Sequence, residues 1–214
     1  MKKHIICFGD SNTHGYCADP MDCADHGDRF NEDERWTCLL QKALGEDYLV
    51  LEEGLSGRTT VFEDPLHESM SGLSVIYSTL MCHEPVDLLV IMLGTNDTKD
   101  RFCASAKCIG IGMERLAMKA ETVPCWKGGK PNILIVSPPH IGEELKDDAM
   151  GELCAVRSRG LAAEYEEKCR VHGWAFMDAQ GLAEFNKVDF MHLSARGHQQ
   201  LSAALAERIP ELLS

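Results

Sequence analysis

Short apolar runs that alternate with helical segments constrain the fold of this chain more than any other feature. The clearest run covers residues 88–93, where only apolar residues stand between Asp87 and Gly94. Such a run is typical of a parallel strand that is buried on both faces. Parallel strands need crossover connections, which are usually helical and right-handed. We therefore predict an α/β fold, a three-layer α/β/α sandwich, with a central five-stranded parallel sheet whose strands lie at residues 5–8, 48–51, 88–93, 133–136 and 175–177.

Apolar residues at helical spacing predict the helices that connect these strands. The last helix has Ser194 as its N-cap and ends before Pro210, and the longest helix has Leu153 and Val156 on its apolar side. The predicted helices cover residues 33–44, 73–81, 109–120, 151–169 and 195–209. A chain of 214 residues suits one core, so we expect a single domain that spans residues 1–214.

Charge and cysteine spacing argue against several classes of protein. The net charge of −13, without a cluster of Lys and Arg, argues against a nucleic-acid partner. The apolar run after the N-terminal lysines is too short for a signal peptide, and no stretch reaches transmembrane length. We therefore expect a cytoplasmic protein that does not bind membranes. The ten cysteines show no C-x-x-C spacing, which favours reduced thiols and no metal site.

One serine, Ser11, stands at the carboxyl end of the first predicted strand, where open α/β sheets gather ligands and chemistry. As a nucleophile it would need a neighbouring base, because a serine hydroxyl attacks poorly until its proton is removed. His192 is the best candidate, since Asp189 precedes it by three residues and is able to reach the imidazole Nδ1 within one turn. The alternative is a surface turn with a capping aspartate, because this spacing alone is a weak signal.

Two further loops contain groups that suit an oxyanion hole. Acyl transfer builds negative charge on the carbonyl oxygen, so fixed hydrogen-bond donors are needed around it. Gly57 follows the second strand, where its backbone N–H is able to approach closely, and Asn96 follows the third strand with a side-chain NH₂. The structural alternatives are a simple turn at Gly57 and a helix cap at Asn96.

These segments together resemble the four sequence blocks of the SGNH (GDSL-type) hydrolases, in order. Over nearly the whole chain the sequence is similar to the mycobacterial aryl esterase/acyltransferase branch of that family. The blocks in this sequence are Gly9-Asp10-Ser11, Gly57, Gly94-Thr95-Asn96-Asp97 and Asp189-x-x-His192. The resemblance implies the flavodoxin-like SGNH fold, with Ser11 as nucleophile, His192 as general base and then acid, and Asp189 as its orienting partner. It also implies that the backbone N–H groups of Ser11 and Gly57 and the side chain of Asn96 form the oxyanion hole, that no cofactor is needed and that the protein is a homo-oligomer.

Residues beside the nucleophile depart from the family. Asn12 stands where leucine is usual, and His14 and Tyr16 replace tryptophans of the aryl esterase branch. We therefore predict that they help set acyl and alcohol specificity. The predicted substrate pocket contains Asp10, Asn12, His14, Tyr16, Thr95, Lys99, His140 and Met191, although a capping role is favoured for Asp10. His198 is expected to lie at the surface.

The expected activity is hydrolysis of short-chain acyl esters, a small-molecule substrate class, through an acyl-enzyme on Ser11. The branch that the chain resembles implies acyltransferase or perhydrolase side activity. A carbohydrate O-acetylesterase is the alternative within enzymes, and a non-catalytic anion-binding protein of flavodoxin-like fold is the alternative outside them. For the oligomer, the expected contact sites are residues 17–31 and the loop around Pro65.

Overall fold

A five-stranded parallel sheet forms the middle layer of the computed structural model, which describes residues 1–214. The strand order is β2-β1-β3-β4-β5, and every neighbouring pair is parallel. This confirms the predicted fold class and all five predicted strands. The strands are β1 Lys3–Gly9, β2 Tyr48–Gly54, β3 Leu88–Met92, β4 Ile133–Ser137 and β5 Ala175–Asp178.

Helices cover both faces of this sheet. They are α1 Ser11–His14, α2 Trp36–Leu44, α3 Gly72–Cys82, α4 Ala106–Glu121, α5 Cys154–Ser158, α6 Leu161–His172 and α7 Ala195–Leu212. Two of them, α2 and α7, pack on one face, whereas α3, α4 and α6 pack on the other. None of these helices is both long and apolar enough to cross a membrane.

Alternate residues of β3 enter two separate cores. Leu88 and Val90 pack with α2 and α7, and Leu89 and Ile91 pack with α3, α4 and α6. All of these side chains are buried, which explains why the run shows no polar alternation. Truncating one buried aliphatic side chain of this kind typically costs about 2–5 kcal/mol. The sheet is therefore a rigid base for the loops at its carboxyl edge.

The predicted long helix over residues 151–169 is wrong, because the chain forms α5 and α6 there with a break between them. Leu153 and Val156, which were expected on the apolar face, are 51% and 61% exposed. The break lies at Gly160, where an added Cβ would stand 2.6 Å from the Cβ of Ala106 on α4. The glycine thus permits a close approach to α4, which a continuous helix with larger side chains would prevent.

The end of the chain also differs from prediction. Ser194 caps α7 as expected, but the helix continues past Pro210 to Leu212, since a proline near the end removes only one intrahelical hydrogen bond. The predicted surface position of His198 is wrong. The first turn of α7 packs beneath α2, where His198 is fully buried and its Nδ1 accepts a hydrogen bond from the backbone N–H of Trp36 at 3.2 Å. Burial lowers the pKa of this imidazole to about 3, so it is neutral.

The loops after β1, β2 and β3 meet at one edge of the sheet. The chain moves from β1 outward to β2 and then returns to place β3 on the other side of β1. In open α/β sheets, the crevice at such a reversal is where ligands bind. Ser11, Gly57 and Asn96 lie in these three loops.

Candidate active site

A chain of hydrogen bonds joins the serine, histidine and aspartate that the sequence singled out. His192 Nε2 lies 2.8 Å from Ser11 Oγ, and His192 Nδ1 lies 2.6 Å from Asp189 Oδ2. Ser11 follows β1 at the first position of α1, and the other two residues lie in the loop before α7. Ser11 and His192 are each 6% exposed, so the contact between them is largely shielded from water.

Four donors hold the Asp189 carboxylate. His192 Nδ1 contacts Oδ2, whereas Oδ1 accepts hydrogen bonds from the backbone N–H groups of Met191 and His192, both at 3.1 Å, and from the side chain of Asn186 at 2.9 Å. Burial acts to raise the pKa of Asp189, but the hydrogen bond and charge of His192 outweigh it, and the pKa falls to about 2. The carboxylate is therefore ionised at neutral pH.

Asn186 was not among the residues that sequence reasoning selected. Its side chain donates to Asp189 Oδ1 and to the carbonyl oxygen of His192, both at 2.9 Å, and its own oxygen accepts the backbone N–H groups of Val188 and Asp189. The only sequence signal was an asparagine three residues before an aspartate, a spacing common in turns. Asn186 thus organises the loop that carries both the aspartate and the histidine.

The candidate oxyanion donors lie beside Ser11 on neighbouring loops. Gly57 has a φ of 92°, which favours glycine, and an added Cβ would stand 3.0 Å from the sulfur of Met70. The Asn96 side chain donates to the carbonyl oxygen of Arg58 at 3.1 Å and approaches Asp10 Oδ2 at 3.4 Å. These contacts fix the amide of Asn96, and both Gly57 and Asn96 line the same cavity as Ser11 and His192.

This cavity has a volume of about 730 Å³ and is open to solvent. Three of the predicted pocket residues line it, namely Tyr16, Lys99 and Met191. The Tyr16 ring lies against the His192 ring with 4.6 Å between their centroids. Other parts of the wall come from His67, Arg101 and residues 145–150. Sequence reasoning selected none of these, because they lie outside the sequence blocks and nothing in their spacing indicates that they face the cavity.

The other five predicted pocket residues do not line the cavity. Asp10 is buried and caps α1 by accepting the backbone N–H of Asn12 at 2.9 Å, and burial raises its pKa to about 6. Thr95 is buried within the loop after β3, and His14 and His140 are partly exposed outside the cavity. These residues follow strands that end at this edge of the sheet, but they are not among the residues that line the cavity, a difference that strand position alone does not reveal.

Asn12, the fifth of these residues, contacts the backbone on both sides of His192. Its oxygen accepts the N–H of Leu193 at 2.8 Å, and its amide nitrogen donates to the carbonyl oxygen of Met191 at 3.1 Å. The side chain is buried, and the indole N–H of Trp36 donates to the Asn12 carbonyl oxygen at 3.1 Å. Asn12 therefore ties the serine loop to the histidine loop.

The arrangement contains the parts that acyl transfer requires: a hydroxyl with a base in contact, an ionised partner for that base and fixed donors near the hydroxyl. No group of three or more His, Cys, Asp or Glu side chains in the structure has an arrangement that could hold a metal ion.

Comparison with known proteins identifies the family. The model of the GDSL-like Lipase/Acylhydrolase family matches residues 7–200, while no curated protein gives a match. The native aryl esterase of M. smegmatis is 36% identical, with a TM-score of 0.88 over 99% of this chain and 100% of that one. A carbohydrate acetylesterase from Sinorhizobium meliloti is 30% identical, with a TM-score of 0.89 and the same coverage of both chains.

A more distant structure shows the shared fold alone. The lipase/acylhydrolase of Enterococcus faecalis is 20% identical, with a TM-score of 0.72 over 99% of this chain and 97% of that one. The family model and the two nearer structures confirm the resemblance found in the sequence, because each of the three matches extends over most of the chain. This chain therefore belongs to the GDSL-like lipase/acylhydrolase family, and it is an ester hydrolase.

Proposed function

We propose that the protein is a serine esterase that hydrolyses short-chain, acetyl-type esters through an acyl-enzyme on Ser11. The observation that carries the proposal is the continuous contact from Ser11 Oγ through His192 to the Asp189 carboxylate, at 2.8 Å and 2.6 Å. His192 takes the serine proton during attack, and the ionised Asp189 stabilises the imidazolium that forms.

In the proposed mechanism, negative charge develops on the substrate carbonyl oxygen in two steps. Ser11 Oγ attacks the carbonyl carbon, and the backbone N–H groups of Ser11 and Gly57 with the amide of Asn96 donate to the oxyanion. His192 then protonates the departing alcohol, which leaves the acyl group bonded to Ser11. Water, deprotonated by the same histidine, attacks the acyl carbon. The bond to Ser11 Oγ then breaks, His192 returns the proton to this oxygen, and the carboxylic acid leaves.

The nature of the cavity wall supports a short acyl group. Only six of the eighteen lining residues are hydrophobic, and charged side chains such as Lys99 and Asp147 lie among the others. A long alkyl chain gains free energy only where it leaves water for continuous apolar surface. The apolar part of the wall includes one small cluster, formed by Leu145, Met150 and Met191, and polar side chains surround it, which suits a short acyl group better than a long one.

A series of p-nitrophenyl esters tests this proposal. We expect kcat/KM to be highest for the acetate and to fall by about 10-fold or more towards the octanoate, because a long chain extends past the small apolar cluster onto the polar wall. Initial rates with subtraction of spontaneous hydrolysis give the comparison. A rise in kcat/KM with chain length contradicts a short-chain preference, and a rate no different from buffer contradicts the esterase itself.

Carbohydrate O-acetylesterase activity is the second candidate. The same polar wall favours it, since sugar hydroxyls require hydrogen-bond partners in a binding site. The likeness to a carbohydrate acetylesterase of Sinorhizobium meliloti supports it as well. A comparison of a fully acetylated monosaccharide with phenyl acetate tests this candidate. A higher kcat/KM for the sugar supports it, and the reverse order supports aryl esters as the preferred substrates.

Asn12 is proposed as the residue that positions His192 for the reaction. We expect Asn12→Leu to lower kcat by about 10- to 100-fold with little change in KM, because the backbone on both sides of the histidine loses its partner. The measurement is steady-state kinetics on p-nitrophenyl acetate, together with chemical denaturation.

Asn132→Leu is a matched control for that variant. The Asn132 side chain also donates to two backbone carbonyl oxygens, those of Asp87 and Leu212, but it lies at the opposite edge of the sheet. Both variants should lose stability, whereas only Asn12→Leu should lose kcat. Equal kcat values for the two variants would show that Asn12 acts on stability alone.

A further inference from the structure

One ammonium group in the cavity has no hydrogen-bond partner. The Lys99 side chain is 8% exposed, and its nearest anionic contact is Asp64 Oδ2 at 3.7 Å, beyond hydrogen-bond distance. The residue lies at the end of the short turn Asn96–Thr98, so the backbone that carries the candidate oxyanion donor also carries this cation. The ammonium faces a cavity that is open to solvent, so its N–H groups are able to donate to a bound substrate.

The acidic groups near Lys99 already have other partners. Asp64 accepts a hydrogen bond from the guanidinium of Arg101 at 2.7 Å. Asp10 accepts one from the backbone N–H of Asn12, and Asp97 accepts one from the backbone N–H of Thr60 at 2.9 Å. Burial, with the neighbouring charge of Arg101, holds the pKa of Lys99 below its usual value in spite of these carboxylates. None of these three carboxylates makes a hydrogen bond to the Lys99 ammonium.

Two other cations line this wall, namely Lys146, which is exposed, and Arg101, which is held by hydrogen bonds within the protein. The Nε and Nη2 of Arg101 contact Asp64, and its Nη1 donates to the carbonyl oxygen of Ala149 at 2.8 Å. These contacts fix the guanidinium within the protein. Lys99 is the buried cation of this wall that makes no hydrogen bond within the protein, so its ammonium is available to a bound substrate.

We propose that Lys99 binds a carboxylate in the alcohol part of the substrate, so that the preferred esters are O-acetylated carboxylic acids, such as acetates of hydroxy acids or of acidic sugars. This inference rests on the proposed esterase function. An acetyl group is too small to carry a carboxylate of its own. The carboxylate that Lys99 binds must therefore be part of the alcohol half of the ester. An ammonium and a carboxylate form a short, charge-assisted hydrogen bond, about twice as strong as a neutral one.

Release of acetate from two matched substrates tests the proposal. The probes are 4-acetoxybenzoate, which carries a carboxylate, and 4-acetoxybenzamide, its neutral counterpart. We expect the wild type to prefer the benzoate and Lys99→Met to lose about 10- to 100-fold in kcat/KM for the benzoate alone. Lys99→Arg keeps the charge and should retain the preference. An O-acetylated uronic acid and its amide form a second pair, which separates acidic sugars from hydroxy acids.

Lys107→Met is the control, because Lys107 is exposed on α4 and lies outside the cavity. It should behave as the wild type on both probes. The proposal is overturned if the wild type does not distinguish the two members of either pair, or if Lys99→Met lowers kcat/KM equally for the charged and neutral probes. No release of acetate from any probe overturns the esterase function itself, which is a different result from release without preference.

Discussion

Replacing Ser11 with alanine is expected to remove nearly all turnover of p-nitrophenyl acetate, with kcat lower by about 10⁴-fold or more. The variant has no oxygen to attack the ester, so neither the base nor the oxyanion donors have an intermediate to act on. Because the change removes one oxygen and a single hydrogen bond to His192, the free energy of unfolding should move by no more than about 1 kcal/mol. Stopped-flow and steady-state assays measure the first quantity, and urea denaturation measures the second.

Ser78→Ala is the matched control for this change. Ser78 is exposed on α3, where its hydroxyl donates to the carbonyl oxygen of Val75, far from the sheet edge that carries the site. Its kcat should equal that of the wild type. Turnover by Ser11→Ala within about 10-fold of the wild type would mean that another group is the nucleophile, and an esterase on Ser11 would then be wrong.

The fold was predictable because its signals are local. A buried parallel strand is apolar throughout, as at residues 88–93, and the order of strands and helices follows from the chain itself. The spacing of Asp189 and His192 is local as well. The carboxylate receives the backbone N–H groups of Met191 and His192, and this tight turn also brings the imidazole to it.

Other parts of the site depend on contacts between distant parts of the sequence. Asn12 and Leu193 are 181 residues apart, and nothing beside either residue indicates that they form a hydrogen bond. His198 was assigned to the surface from its place on the last helix alone, whereas its burial results from contact with α2. Gly160, at the break between α5 and α6, likewise packs against Ala106 of another helix. The predicted oligomer, cytoplasmic location and acyltransferase activity stay predictions.

The lowered pKa of Asp189 also has a consequence for stability. A carboxyl group whose pKa is about 2 in the folded protein, against about 3.9 in an unfolded chain, stabilises the fold when it is ionised. This contribution is fully present above about pH 4 and is lost as the pH falls towards 2. Neutral pH therefore leaves the charge of Asp189 in place, and a variant that removes the charge can be compared there with the wild type.

Asp189→Asn is expected to lower kcat by about 10⁴-fold with little effect on KM, because it imposes the wrong tautomer on His192. The surroundings determine how the new amide must lie. The position of Oδ1 receives three N–H donors, from Asn186, Met191 and His192, so only the amide oxygen is tolerated there. The NH₂ group must then face His192 Nδ1, so Nδ1 accepts a hydrogen bond and the imidazole proton lies on Nε2. A protonated Nε2 cannot accept the proton of Ser11.

Nitrogen NMR of His192 at neutral pH checks this directly, since it distinguishes a protonated Nε2 in the variant from a protonated Nδ1 in the wild type. Asp33→Asn is the control, because Asp33 is an exposed carboxylate paired with Lys42 outside the cavity, and it should leave both kcat and the tautomer unchanged. A variant that keeps the wild-type tautomer but loses activity would assign the effect of Asp189 to its charge rather than to orientation. Full activity in Asp189→Asn would contradict the proposed role of Asp189 altogether, because a base in the wrong tautomer cannot start the reaction.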